Sequence, residues 1–200
     1  MVGLGNPGQE YRLSRHNVGF LVLDWIAEEQ GVVLIFEKHC SLWGRVWIGD
    51  QEVFLVKPQA YMNRSGVCVR EWVSSLEIPF SRLVIVHDDL DLSIGRIRIK
   101  KGGGDGGHRG IRSIMRELGS GDFLRLKVGI GRPPLEVSAL DYVLEPFSEP
   151  EEVKLKEIIK RASEGVEALI REGPEVAMNR FNIRQSVNGI RKRRPRLAKV

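Results

Sequence analysis

The run Leu83-Val84-Ile85-Val86-His87-Asp88-Asp89 decides how this chain folds. Four apolar residues follow one another without a break, and three of them are β-branched. That pattern reads as a short strand buried on both faces, as in a parallel sheet covered by helices on each side. The run then ends on an imidazole and two carboxylates. Open α/β sheets form their sites at the C-terminal ends of such strands, so one stretch indicates both a fold class and a place for chemistry.

Working outward, a strand is expected over residues 1–5, followed by a turn at Asn6-Pro7-Gly8. A helix is expected over 17–30, with Val18, Leu21, Val22, Trp25 and Ile26 on one face. Strands are expected at 43–48 and 53–57, then a loop over 59–63 and a helix over 66–76. Residues 94–100 alternate as a strand, 102–110 form a glycine-rich loop, and a helix follows to Leu118. A strand over 124–130, a long amphipathic helix Glu149–Arg171 and a short helix Pro174–Phe181 complete the pattern. The reading is α/β: a single domain, a twisted mixed β-sheet flanked by helices, over residues 1–183. The basic segment 184–200 has no sustained apolar period and is expected to be a disordered tail.

Composition agrees. The chain has 200 residues, 42% hydrophobic and 28% charged, which excludes a disordered chain, a collagen and a disulfide scaffold. No apolar run reaches the ~18 residues of a membrane span, and the first residues lack the basic and apolar regions of a signal peptide. Cys40 and Cys68 have no ligand or CxxC spacing and fit a reducing compartment, so a cytoplasmic protein is expected. The net charge of +5 is unevenly spread. Residues 96–132 carry ten Lys/Arg against three acids, residues 184–200 carry seven and none, and the remainder is acidic. Two basic regions on an acidic body point to a polyanionic partner, nucleic acid ahead of membrane.

Gly3, Gly5 and Gly8 spell G-x-G-x-x-G, with Asp24 further on. A dinucleotide fingerprint needs a full strand before the first glycine and a helix opening at the third, and neither is present. The glycines instead suit a sharp exit from a strand that presents Asn6. The second cluster, residues 102–110, lacks the G-K-[ST] of a phosphate loop, but Lys100, Lys101, Arg109 and Arg112 flank it as for a polyanion. His16, His39, His87 and His108 are scattered, so no metal-ligand cluster is expected. No G-x-S-x-G is present. What remains is histidine with carboxylate and amide partners: Asn6, His16, Asn63 and Asp88 all fall at expected loop or strand ends. A neutral imidazole takes a proton from water, a carboxylate fixes its tautomer, and an amide stabilises an oxyanion.

In this order and spacing the chain resembles the bacterial-type peptidyl-tRNA hydrolase family. The resemblance covers about residues 2–183. It rests on Val2-Gly3-Leu4-Gly5-Asn6-Pro7-Gly8 with Tyr11, Arg15-His16-Asn17 with Gly19, and Lys57-Pro58 leading to Tyr61-Met62-Asn63-Arg64-Ser65-Gly66. It continues through His87-Asp88-Asp89-Leu90-Asp91, Gly103-Gly104 with Gly106-Gly107-His108, and Leu126-Lys127-Val128-Gly129-Ile130-Gly131-Arg132-Pro133. The resemblance implies a phosphorylase/hydrolase-like α/β domain that cleaves the ester between a peptide and the 3′ ribose of tRNA, without metal or cofactor, and a monomer is expected. It makes His16 the base, Asp88 its orienting carboxylate and Asn6 an amide near the scissile ester. It places Tyr11, Met62, Asn63, His108 and Arg109 at the substrate, and Lys100 and Lys127 at the tRNA phosphate. The family usually has Asn at the position of Arg109, Arg at Lys127, and His or a small residue at Asp105. The N-terminus is a few residues shorter than usual, so a trimmed first strand is expected. The alternative carried beside the hydrolase is a catalytically weak RNA-binding protein on the same fold, akin to the splicing factors related to this family.

Overall fold

Among the described residues, seven strands form one sheet: β1 (Val2–Gly3), β2 (Phe36–Lys38), β3 (Ser41–Ile48), β4 (Gln51–Pro58), β5 (Val84–Asp89), β6 (Ile97–Lys101) and β7 (Leu124–Gly129). Their order across the sheet is β2-β3-β4-β1-β5-β7-β6. The four central strands are parallel, and the antiparallel pairs lie towards the edges. In this computed structural model residues 1–182 are described; the segment 184–200, expected above as a disordered tail, lies outside the described residues.

Among the described residues, six α-helices cover the sheet: α1 (Val18–Glu29), α2 (Ser65–Ser75), α3 (Arg109–Leu118), α4 (Ala139–Leu144), α5 (Glu149–Arg171) and α6 (Pro174–Phe181). Side chains of a strand alternate between faces, and β5 shows why its apolar run is unbroken. Val84 and Val86 pack with α1, α4, α5 and α6, while Ile85 packs with α2 and α3. The fold is therefore an α/β sandwich of helix, sheet and helix, as expected. Within it, β5 runs on through His87, Asp88 and Asp89, which pair with Lys127, Val128 and Gly129 of β7. The carboxylates stand on a hydrogen-bonded strand, not on the loop after it.

Some boundaries differ from expectation for local reasons. β1 is shorter, although Leu4 N–H still donates to the Val86 carbonyl. β6 starts three residues later, because residues 93–96 form a turn around Gly95 at φ 76. β2 is a short, exposed edge strand without a period, and α4 is too brief for one to register.

Close approach of α1 to β1 and β5 brings the first site residues together. A Cβ on Gly19 would fall on the Val86 carbonyl and the Leu4 backbone, and one on Gly3 would fall on the Gly19 carbonyl. The neighbours are backbone atoms, so they cannot yield. Gly19→Ala is expected to lower stability by about 1–3 kcal/mol through overpacking. Gly104→Ala, in open space, should stay within about 0.5 kcal/mol of wild type. Denaturant midpoints check both, and equal effects would contradict this packing.

Candidate active site

His16 is pinned from both sides by its neighbours in sequence. Arg15 is buried; its Nη2 donates to Glu151 at 2.7 Å and its guanidinium lies 4.1 Å from the Tyr142 ring centre, tying this turn to α4 and α5. Asn17 accepts the Asn6 backbone N–H at 2.8 Å and donates to the Asn6 carbonyl at 2.9 Å. The imidazole between these anchors therefore has little freedom.

Asp88, 2% exposed, is where the site converges. Its Oδ1 lies 2.7 Å from His16 Nδ1 and 2.9 Å from His108 Nε2. Burial pushes this carboxyl up, but His16 and His108 outweigh burial and hold it well below the usual carboxylate range. Ionised, it is an acceptor only, so both imidazoles must donate to it. His108 is fixed independently. Its Nδ1 caps α3 by accepting the N–H groups of Gly110 (3.1 Å) and Ile111 (3.3 Å), which leaves its proton on Nε2. His16 correspondingly carries its proton on Nδ1 and presents a bare Nε2.

Three side chains that sequence spacing did not connect thus form one cluster. The ligand-type atoms of His16, Asp88 and His108 lie within 4.8 Å of one another, which corrects the expectation that the histidines are scattered. The polarity of the bonds does not suit a metal. With His108 Nδ1 accepting two amides, its Nε2 would have to lose a proton and become imidazolate before it offered a lone pair. The arrangement is that of one carboxylate oxygen accepting from two imidazoles.

Asn6 is held by three bonds. Besides the two to Asn17, its Oδ1 accepts the Met62 N–H at 2.8 Å. Among the described residues its Nδ2 has no partner, which leaves an N–H donor on a rigid support. His16, Asp88, His108 and Arg109 line one cleft of about 400 Å³, with Leu90, Leu140 and Val143 on its apolar side. Asn6 borders a second groove, beside Gly8, Arg12 and Lys57.

The remaining expected residues are more dispersed. Met62, expected to line the cleft, is a buried core residue, and its sulfur packs where a side chain on Gly110 would lie. Asn63 is exposed on the same turn as Met62, Tyr11 is half-buried at the end of an earlier turn, and neither borders the cleft. Lys100 and Lys127 share one sheet face with Arg98 and Arg125, as the β6–β7 register requires. Lys127, expected as a phosphate ligand, is already paired with Asp89 at 2.6 Å. Lys100 Nζ occupies the space a side chain on Gly103 would take.

Sequence reading missed three contributors. Asn17 aligns Asn6. His87 donates from Nδ1 to the Asp88 carbonyl (2.6 Å) and packs edge-on against His108, with ring centres 4.7 Å apart. Arg125, although in an alternating strand, is buried. It donates to the carbonyls of Gly103 and Gly104, at 2.6 Å each, and of Gly121 at 3.2 Å. It thereby holds a loop in which Gly102, Gly103, Gly106 and Gly107 all have positive φ, a conformation that favours glycine. The alternation of residues 124–128 pointed to one polar face; nothing in it marked Arg125 as the buried member.

The sequence profile of the peptidyl-tRNA hydrolase family matches residues 1–189. The chain is 48% identical over 182 residues to the peptidyl-tRNA hydrolase of Carboxydothermus hydrogenoformans, covering 91% of this chain and 97% of that one. It is 44% identical over 183 residues to that of Moorella thermoacetica, covering 91% and 96%. Among solved structures, peptidyl-tRNA hydrolase from Acinetobacter baumannii superimposes with a TM-score of 0.84 at 37% identity, covering 90% of this chain and 92% of that one.

The buried His87 has a consequence for stability. Burial, then the neighbouring His108, push its pKa well below the ordinary 6.5, against the pull of Asp88 and with a further push from Lys127. Below that value the unfolded chain binds a proton that the folded chain refuses. Stability therefore falls with falling pH, at up to about 1.4 kcal/mol per unit. His87→Gln removes this term, so its stability relative to wild type should improve by about 1 kcal/mol between pH 7.5 and 5.5. Denaturant midpoints at the two pH values measure it, and a difference independent of pH would contradict the assignment.

Proposed function

The chain belongs to the peptidyl-tRNA hydrolase family and hydrolyses peptidyl-tRNA, and from that premise we propose how its residues divide the work. His16 is the general base. The observation that carries this is the 2.7 Å bond between His16 Nδ1 and the ionised, buried Asp88, which leaves Nε2 as the free basic nitrogen in the cleft. A water gives its proton to Nε2 as its oxygen attacks the ester carbonyl. The tetrahedral oxyanion is met by amide donors, with Asn6 Nδ2, on the neighbouring groove, among the candidates. The intermediate collapses, the carbonyl re-forms, and the bond to the ribose 3′ oxygen breaks as the imidazolium returns its proton to that oxygen. The products are a peptide with a free carboxylate and a reusable tRNA.

Residues 1–183 act as one catalytic domain, a cytoplasmic monomer that recycles tRNA from prematurely released peptidyl-tRNA. The peptide occupies the cleft lined by His108 and Arg109 and extends towards Tyr11 and Asn63, which lie outside that cleft. His108 acts through Asp88 and the cap of α3, since both of its nitrogens are engaged. Lys100 and Lys127, on the basic sheet face, take the acceptor-stem phosphate, with Lys127 exchanging Asp89 for it. No helix among the described residues is long and apolar enough to cross a membrane. The alternative of an RNA-binding protein without useful turnover is not favoured, since the relatives are hydrolases by name over nearly their whole length.

The test is release of labelled N-acyl-aminoacyl groups from tRNA by wild type, His16→Ala and Asp88→Asn, with unblocked aminoacyl-tRNA in parallel. Loss of a positioned base is expected to lower kcat by about 10²–10⁴-fold, with binding of the blocked substrate retained. Equal loss of binding and turnover would contradict the roles. Lys100→Ala should instead raise KM, increasingly so at higher salt.

A further inference from the structure

The cleft around His16 is lined by four carboxylates, and every one of them is partnered. Asp88 holds His16 and His108, Asp89 pairs with Lys127, Asp91 with Arg132 and Asp105 with Arg112. Arg132 is thereby engaged as well. Arg109 lines the same cleft, is exposed, and has no ion-pair or hydrogen-bond partner among the described residues. Among the described residues it is the unengaged charge of the site.

Local structure does not account for an arginine there. Arg109 is the first residue of α3, the end at which the helix dipole disfavours a cation, and no acid in the first turn offsets it. The two arginines further along the helix are different: Arg112 reaches Asp105 and Arg116 reaches Glu117. Leu90, Ala139, Leu140 and Val143 line the same cleft. Among the described residues the cavity thus combines an imidazole base, an apolar wall and one guanidinium without a partner.

We propose that Arg109 makes this enzyme selective for the charge of the peptidyl group. The cleft favours a substrate whose residue next to the scissile ester carries a carboxylate on a short apolar stem, as aspartyl and glutamyl groups do. The inference rests on the hydrolase reading of the site and adds a substrate preference to it. Both a tRNA phosphate and a side-chain carboxylate would pair with a guanidinium. The carboxylate is favoured by the apolar wall, which suits the stem of an amino-acid side chain and not a phosphate. The exposed Arg98 and half-buried Lys100 on the β6–β7 face lie outside this cleft and offer phosphates a surface of their own.

The experiment compares N-acetyl-glutamyl, N-acetyl-glutaminyl and N-acetyl-lysyl groups on one tRNA body, with wild type, Arg109→Gln and Arg109→Glu. Wild type should show a kcat/KM for the glutamyl ester above that for the glutaminyl ester by about fivefold, the size of a favourable solvent-exposed ion pair. The ratio should fall to unity in Arg109→Gln, and Arg109→Glu should favour the lysyl ester. A ratio unchanged by Arg109→Gln overturns the proposal. So does an equal loss on all three esters with weaker binding of deacylated tRNA, which would make Arg109 a phosphate ligand. Absence of hydrolysis of every ester by wild type would bring down the hydrolase reading itself, and this preference with it.

Discussion

One oxygen atom, Oδ1 of Asp88, organises the site. It is buried at the end of a central strand and accepts hydrogen bonds from two imidazoles that come from opposite layers of the fold. His16 arrives from the turn that opens α1, and His108 from the cap of α3 on the other face of the sheet. Leaving a carboxylate buried is unfavourable unless it is ionised and well bonded or neutralised. Here the two N–H donors keep it ionised. The same two bonds fix which nitrogen of each histidine carries the proton, so a folding requirement becomes a choice of tautomer.

The remaining structure acts to keep those donors aimed. Arg15 and Asn17 hold the backbone on either side of His16, one tied to α4 and α5, the other to Asn6. Asn6 is in turn held by the Met62 amide. On the other side, Arg125 supports the carbonyls of Gly103 and Gly104, and Asp105 binds the Gly107 N–H, so the loop leading to His108 is fixed despite its glycines. Catalytic groups held this closely spend little energy on reorganisation as charge develops.

The sheet and its helices were legible because their physics is local and periodic. The run at Leu83–Val86 read as a doubly covered strand, and the long helix before the C-terminal one carried a clear amphipathic period. The edge strand β2 and the helix α4 were not legible, being too short for a period. Within the site, His16, Asp88 and Asn6 stood out by residue type and by position at the ends of elements. The convergence of His16 and His108 on one carboxylate did not, because their sequence separation of 92 residues is bridged only by the fold. The burial of Arg125 was likewise invisible, since an alternating strand does not say which polar residue a loop will cover. The resemblance to a family named the reaction. The hydrogen-bond polarity that tells a base from a metal ligand exists only in the folded chain, where His108 Nδ1 meets the first amides of α3.

The central claim is that Asp88 sets the tautomer of His16. The direct measurement is two-bond ¹H–¹⁵N correlation NMR of the histidine side chains, at a pH well above the ordinary imidazole pKa of about 6.5. The account predicts that His16 carries its proton on Nδ1 with Nε2 bare, that His108 shows the opposite tautomer, and that Asp88→Asn abolishes the preference at His16. A proton on Nε2 of His16 in the wild-type protein would contradict it.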